Sequence, residues 1–183
     1  MRSLVFSVAV LIACSATADV ITFEDFAGHS CPAESGGFEF KDINEFPCEV
    51  YTPSFTGNTG NALHTFAYIP TGISMVSLEG KVFSLNSLDI WGLPTVVTGY
   101  YVGGGTVETN INPPLPGPNT PYTAVVFDSS WQDLERIVFS TEPIGFFIDN
   151  INVSVVPIPA AIWFFGSALA GLGWLRKKVT RPN

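Results

Sequence analysis

The sequence predicts an all-β fold, an antiparallel β-sandwich or jelly roll, for residues 19–156. Short runs rich in β-branched and aromatic residues alternate with turns rich in glycine, proline and asparagine. No stretch before residue 158 keeps the apolar period of about 3.6 residues that an amphipathic helix needs. The length of this segment suits one domain with its own core.

We predict eleven strands in this segment. They are Val20–Phe23, Gly37–Phe40, Glu49–Thr52, His64–Ile69, Ile73–Leu78, Lys81–Trp91, Thr95–Val102, Thr106–Thr109, Tyr122–Phe127, Leu134–Ser140 and Gly145–Val155. Glu79-Gly80 is predicted to join two of them as a tight hairpin, and Gly103–Gly105 another two. The proline-rich stretch 112–121 is predicted to be a stiff spacer loop.

Two of these strands break their alternation. Within residues 81–91 the apolar positions change parity at Asn86-Ser87, and within residues 145–155 they change at Asp149-Asn150. A β-bulge adds one residue and lets a strand go on burying its apolar side chains. We therefore predict one bulge in each strand.

Residues 1–18 are predicted to be a signal peptide. Arg2 precedes an apolar run from Leu4 to Ala13, and Ala16–Ala18 forms an A-x-A cleavage site, so the mature chain would begin at Asp19. The alternative is a lipobox at residues 11–14, in which the cysteine would be acylated.

The cysteine count favours cleavage after Ala18. That cut removes Cys14 and leaves Cys31 and Cys48, an even pair in an oxidising compartment. We predict a disulfide between them that pins the irregular region 29–48. For a loop of about 17 residues, the chain-entropy estimate gives roughly 3 kcal/mol.

The C-terminal segment, residues 157–183, is predicted to anchor the chain in a membrane. Residues 158–175 carry no charged side chain and would form a helix of about 27 Å, close to a hydrocarbon core of about 30 Å. Pro157 and Pro159 suit the entry into this helix. The basic tail, residues 176–183, is expected to stay cytoplasmic, with everything before the helix outside; its cations are Arg176, Lys177, Lys178 and Arg181.

This C-terminal segment also carries a resemblance. The box Val156-Pro157-Ile158-Pro159-Ala160, the glycine-spotted aromatic helix and the basic tail resemble the bacterial PEP-CTERM sorting signal in its VPLPA-type variant, with Ile158 where leucine is usual. The resemblance implies recognition by an exosortase, an integral membrane cysteine transpeptidase. The enzyme would cut near the box and release the protein toward the cell surface or an extracellular polysaccharide matrix. The alternative is an ordinary single-pass anchor.

The charge of the exported segment is strongly negative. All sixteen acidic residues lie between Asp19 and Asp149, whereas only Lys41, Lys81 and Arg136 are basic there, so the net charge is −13. Such a surface repels nucleic acid and anionic lipid, and binding to either through a basic patch is excluded. It also suits a soluble extracellular domain.

Three segments of the predicted domain resemble strands of exported PEP-CTERM β-sandwich proteins and, more distantly, of lectin-like and carbohydrate-binding jelly rolls. They are residues 21–26, 83–90 and 147–153. In such folds the first and last strands often lie side by side and hold a structural Ca²⁺. The resemblance implies Glu24, Asp25 and Asp149 as calcium ligands, with backbone carbonyls and water completing the six to eight oxygens. The alternative is that Asp149 caps the bulge and Glu24 is solvated.

The sequence offers little for catalysis, and we predict no catalytic residue. His29 and His64 have no partner at metal-ligand spacing, and there is no nucleophile elbow. Paired carboxylates of the glycosidase kind are expected by chance among sixteen acids.

Sugar binding is better supported by the residue types. Aromatic rings near strand ends could stack on a sugar, with core packing as the alternative for each; they are Trp91, Tyr100, Tyr101, Tyr122 and Trp131. Asn86, Asp89 and Asp128 are candidate acceptors for sugar hydroxyls. The sequence thus predicts an exported protein with a structural or adhesive role linked to extracellular polysaccharide. The alternative function is a carbohydrate-binding module, and the third is a glycoside hydrolase.

Overall fold

A computed structural model describes residues 17–25, 31, 33–44, 48–51, 60–65, 71–114, 120–141 and 145–155. They form twelve strands: β1 (Thr17–Ile21), β2 (Ala33–Ser35), β3 (Phe38–Asp42), β4 (Cys48–Tyr51), β5 (Ala62–Thr65), β6 (Thr71–Ser77), β7 (Phe83–Gly92), β8 (Thr95–Tyr101), β9 (Thr106–Ile111), β10 (Thr123–Val126), β11 (Leu134–Thr141) and β12 (Phe146–Val155). A short 3₁₀ helix spans Ser129–Trp131. The predicted all-β class is confirmed.

The strands fall into two groups of antiparallel pairs. The front sheet runs β4–β5–β12–β7–β10. Along the edge of β12 that faces away from β7, β5 pairs with the first half of β12 and β1 pairs with its second half. The back sheet runs β2–β3–β6–β11–β8–β9. A single pair, Leu134 with Phe83, joins β11 to β7, so the twelve strands form one curled sheet.

The core lies between the two sheets. The rings of Phe38 on β3 and Phe83 on β7 meet edge to face, with their centres 4.9 Å apart. The ring centres of Phe139 on β11 and Phe146 on β12 are 6.4 Å apart. Each of these contacts joins the back sheet to the front sheet, and all four rings are buried. Burial of these apolar faces is the main force that holds the two layers together.

The two central strands of the front sheet, β7 and β12, are both bulged. Their register is regular down to Asp149 opposite Asp89, then Asn152 pairs with Ser87 and Val153 with Leu85. β12 therefore has one extra residue, and β7 has one extra residue a step further along, so the original register is restored. Both predicted bulges are confirmed.

The bulge in β12 uses a special backbone conformation. Asn150 has φ 48°, in the left-handed region that asparagine tolerates better than most residues. The inward positions stay apolar on both sides of the two bulges. Consecutive polar residues, Asn86-Ser87 and Asp149-Asn150, are left at the bulges, where they supply the outer face.

The predicted hairpin at Glu79-Gly80 is wrong. Gly80, at φ 64°, does close a tight turn, and its N–H donates to the carbonyl oxygen of Ser77 at 3.1 Å. However, β6 pairs with β3 and β11, whereas β7 pairs with β12, β10 and one residue of β11. The turn carries the chain from one sheet to the other, because both flanking strands must bury an apolar face in the shared core. The Gly103–Gly105 hairpin between β8 and β9 is confirmed.

The first and last strands lie side by side. β1 pairs with β12 from Thr17 opposite Val155 to Ile21 opposite Ile151. β1 starts two residues before the predicted mature N-terminus, so cleavage after Ala18 leaves three of its five residue pairs.

A disulfide joins Cys31 to Cys48, with Cα atoms 5.1 Å apart. The N–H of Cys31 donates to the carbonyl oxygen of Cys48 at 2.8 Å. The bridge fastens the segment before β2 to the first residue of β4. Part of the region predicted to be irregular is ordered as β2, which pairs with β3.

Residues 17–156 form one unit, and the other unit, residues 1–16 with 157–183, lies outside the described residues. The predicted sorting motif, membrane helix and basic tail fall there or at its border, as does most of the signal peptide. Within the described ranges, no helix has the length and apolar character needed to cross a membrane.

Candidate functional site

The outer face of the front sheet, here called the front face, carries an aromatic row. His64 of β5, Phe147 of β12 and Trp91 of β7 are direct cross-strand partners. The rings of His64 and Phe147 stack, with their centres 4.0 Å apart and their planes 16° from parallel. The ring of Trp91 meets that of Phe147 edge to face, with the ring centres 5.6 Å apart. Phe147 is 8% exposed, whereas Trp91 and His64 are partly exposed.

Trp91 is fixed from two sides. Phe147 supports its ring, and its indole N–H donates to the carbonyl oxygen of Thr120 at 3.0 Å. A paired strand and a hydrogen-bonded indole leave this side chain few orientations. The front face therefore holds a partly exposed aromatic ring in a defined position.

A carboxylate row lies one step along the same strands. Asp89 and Asp149 are cross-strand partners. The N–H of Asn150 donates to Oδ1 of Asp149 at 2.7 Å, and the side-chain amide of Asn150 donates to Oδ2 of Asp89 at 2.9 Å. The bulge residue Asn150 thus connects the two acids.

Asp149 is unusual among these acids because it is only 5% exposed. Burial raises the pKa of its carboxyl group to about 6, and the charges of Asp89 and Glu24 act in the same direction, against the hydrogen bond from the Asn150 N–H. His64 shows the opposite effect, since burial lowers the pKa of its imidazole to about 4. At pH 7 His64 is neutral and Asp149 is mostly ionised.

An amide row completes the front face. The side-chain amide of Asn86 donates to Oδ1 of Asn152 at 2.9 Å and to Oγ of Ser154 at 2.8 Å. Asn152 and Ser87 are paired, and their outer neighbours are Val20 of β1 and Val126 of β10. These valines are 53% and 83% exposed, so a polar network is flanked by two exposed apolar side chains.

The structure does not bring the predicted stacking aromatics together. Trp91 lies on the front face, but Tyr100 lies on the outer face of the back sheet, where the guanidinium of Arg136 is 3.9 Å from its ring centre. Tyr101, at the end of β8, donates its hydroxyl to the carbonyl oxygen of Ser130 at 2.6 Å, and its ring packs against the core.

Trp131 is a core residue, and its prediction as a sugar platform is wrong. Its side chain is 4% exposed and packs against Phe127 at 4.6 Å, so its ring faces are covered. Asp128 is likewise structural. Its Oδ1 accepts hydrogen bonds from the N–H and hydroxyl of Ser130 at the start of the 3₁₀ helix, and these bonds lower its pKa.

The residues predicted for calcium are engaged in other contacts. Oε1 of Glu24 accepts the N–H of Asn61 at 2.6 Å, and Oδ1 of Asp25 accepts the hydroxyl of Ser35 at 2.5 Å. Glu24 lies within electrostatic reach of Asp149. In the part of the chain that the structure describes, no three Asp, Glu, His or Cys side chains are grouped so as to hold a metal ion. Calcium binding stays a prediction.

Sequence reasoning missed His64 and Phe147 as members of the site. The alternation of β12 marks Phe147 as outward, but only the strand pairing shows that Phe147 and His64 adjoin Trp91. Asn150 and Asn152 were hidden in the same way, because the pairing across β7 gives them their partners.

Comparison with known proteins bears on the fold. No protein-family model and no curated protein sequence matches this chain. Among solved structures, a mutant of the carbohydrate-binding module CBM29-2 complexed with mannohexaose is 15% identical, with a TM-score of 0.51, over 78% of this chain and 93% of that one. A family 29 carbohydrate-binding module matches at 16% identity and TM-score 0.48, over 78% and 90%. TmCBM61 in complex with beta-1,4-galactotriose matches at 11% and 0.42, over 72% and 92%. At 15% identity, the similarity to CBM29-2 shows that the domain shares the fold of a carbohydrate-binding module.

Proposed function

We propose that the domain binds a carbohydrate at the front face. One observation carries the proposal: Trp91, partly exposed and fixed in place, lies beside Asp89 and the amide of Asn150 on adjacent paired strands. An aromatic ring packs against the C–H face of a sugar, while carboxylate and amide oxygens accept its hydroxyl protons. The fold shared with a carbohydrate-binding module supports the same function.

Preorganisation favours this face as a binding site. The aromatic and carboxylate rows sit on β7 and β12, whose backbones are paired along most of their length, and the polar side chains already bond to one another. A ligand that binds here orders few side chains, so less of the contact energy is lost to entropy.

The test is glycan retention by the full chain in a detergent without a sugar headgroup, on an array that covers neutral, amino and acidic glycans. Trp91→Ala is expected to weaken binding about tenfold to hundredfold, the range for loss of a central aromatic contact. Tyr100→Ala is the matched control, because it removes a partly exposed ring from the other sheet. Loss of binding in the Tyr100 variant alone would move the site to the back sheet, and no retention of any glycan would refute the proposal.

We also propose that an exosortase sorts the chain to the cell surface or matrix. The support is the sequence of residues 156–183, with its box, apolar run and basic tail. A glycan-binding domain delivered in this way would serve the predicted adhesive role. Replacing Pro157 and Pro159 by alanine is expected to keep the protein in the membrane fraction, and unchanged release in an exosortase-containing host would contradict it.

A further inference from the structure

We propose that the front face selects its glycan by charge: amino-sugar polymers bind more tightly than their neutral counterparts, and uronate or sulfated polymers bind least. The inference rests on the proposed function and concerns the same site. It follows from where the charged side chains of the domain lie, and Trp91 and the amide row define the surface on which a sugar chain would rest.

The front face carries negative charge at its carboxylate row and at its β4 edge. Asp89 and Asp149 lie at its centre as cross-strand partners. Glu49 of β4 is exposed and is the cross-strand partner of His64 at the far edge of the aromatic row. His64 adds no positive charge near neutral pH, because burial lowers the pKa of its imidazole to about 4.

The three basic residues of the domain lie elsewhere. Lys41 on β3 pairs with Glu39, with Nζ 2.9 Å from Oε1, and Arg136 on β11 covers the ring of Tyr100. Both are on the back sheet. The sequence from residue 19 to 156 contains no other lysine or arginine besides Lys81.

Lys81 is the basic residue nearest to β7 in sequence, but it lies far along the strand from Trp91. It forms an ion pair with Glu79 in the turn before β7. Trp91 lies near the other end of that strand, about 26 Å from Phe83 at about 3.3 Å per residue. This separation exceeds the Debye length of about 8 Å at physiological salt, so the charge of Lys81 is screened at Trp91.

The size of the effect follows from Coulomb's law. An ammonium group about 4 Å from one carboxylate in water gains about 1 kcal/mol, which is roughly a fivefold change in affinity. A ligand carboxylate in the same position loses a similar amount. We therefore expect amino-sugar polymers to bind with about 25-fold higher affinity than uronate polymers of otherwise similar structure. This difference in affinity should disappear at about 1 M salt, where the Debye length is about 3 Å.

The experiment compares binding of the full chain to three polymer series on one array: neutral glycans, their amino-sugar analogues and their uronate or sulfated analogues, at low and high salt. Asp89→Asn is the test variant, since asparagine keeps an oxygen for the amide of Asn150 and removes the charge. Glu108→Gln, an exposed carboxylate on β9 of the back sheet, is the matched control. The expected order is amino above neutral above acidic, with the amino preference reduced about fivefold in Asp89→Asn only.

The outcomes separate the two proposals. Retention of acidic glycans as strong as that of neutral ones would overturn charge selection and leave carbohydrate binding standing. An amino preference that Asp89→Asn and Glu108→Gln reduce equally would also overturn it, because the attraction would then come from net charge alone. Retention of no glycan of any series would refute carbohydrate binding itself.

Discussion

Replacing Asp149 by asparagine is expected to stabilise the domain at neutral pH but not near pH 4. Burial and two neighbouring carboxylates raise the pKa of this group from 3.8 to about 6 in the folded chain, so the folded state favours the proton. The free energy of unfolding therefore carries no cost from Asp149 below pH 4 and falls as the pH rises through about 6. Asparagine removes that cost and still accepts the N–H of Asn150.

The magnitude follows from the pKa. A difference of about two units corresponds to about 3 kcal/mol at full ionisation, and we expect about 2 kcal/mol because the polar surroundings on the front face offset part of the desolvation cost. His64 acts with the opposite sign. Its pKa of about 4 favours the neutral imidazole on folding, so its contribution is present above pH 6.5 and is lost as the pH falls toward 4. Between pH 4 and 6.5 the two groups therefore change the free energy of unfolding of the unmodified chain in opposite directions.

The assay is urea unfolding of the unmodified protein and of the Asp149→Asn variant between pH 3.5 and 8, monitored by tryptophan fluorescence. The difference in unfolding free energy should rise from near zero at about pH 4 to about 2 kcal/mol at about pH 7.5. Asp128→Asn is the control, because hydrogen bonds from Ser130 lower the pKa of that exposed carboxyl group and its pH dependence must have the opposite sign. An Asp149→Asn effect of equal size at every pH would refute the reasoning, since the carboxyl group would then titrate alike in both states.

Three further results are expected. Replacing Cys31 and Cys48 together by serine should lower the free energy of unfolding by about 3 kcal/mol in urea, whereas an unchanged midpoint would show that the bridge constrains nothing. Gly92→Ala should destabilise far more than Gly80→Ala in the same assay, because both have positive φ but only at Gly92 would a Cβ meet backbone, at 2.8 Å from the Cα of Phe146; equal losses would contradict the packing argument. N-terminal sequencing of the exported protein should read from Asp19, and an acylated Cys14 would instead show that β1 keeps all five of its pairs.

Much of the fold could be predicted from the sequence because the buried positions of each strand are apolar and alternate with a period of two. In β7 and β12 the parity of buried residues predicts the bulges without knowledge of which strands pair, since burial acts on each strand separately. The disulfide partners were likewise limited by the cysteine count. The short strand β2 was missed because three residues in a region rich in polar and turn-forming side chains carry no period of their own.

The candidate site was harder to predict because it is a property of pairs of strands. Trp91 and Trp131 look alike in sequence, yet Trp91 lies on an outer face, whereas Trp131 is the buried last residue of the 3₁₀ helix and packs on Phe127. The turn at Glu79-Gly80 has the chemistry of a hairpin, but turn residues set only the local reversal and not which sheet receives the next strand. The contact of His64 with Phe147 depends on such non-local pairing.

The two bulges explain why one pair of strands serves both the core and the front face. A single bulge would shift all later pairs of β7 and β12 by one position, and since side chains alternate with a period of two, that shift would turn an apolar set outward. With two offset bulges, the pair Val153 and Leu85 has the same register as the pair Asp149 and Asp89. Apolar side chains therefore face the core both before and after the bulges. The extra residues are polar, and Asn86 and Asn150 bind across to the opposite strand. The irregularity therefore adds hydrogen-bonding side chains to the outer surface without removing any apolar side chain from the interior.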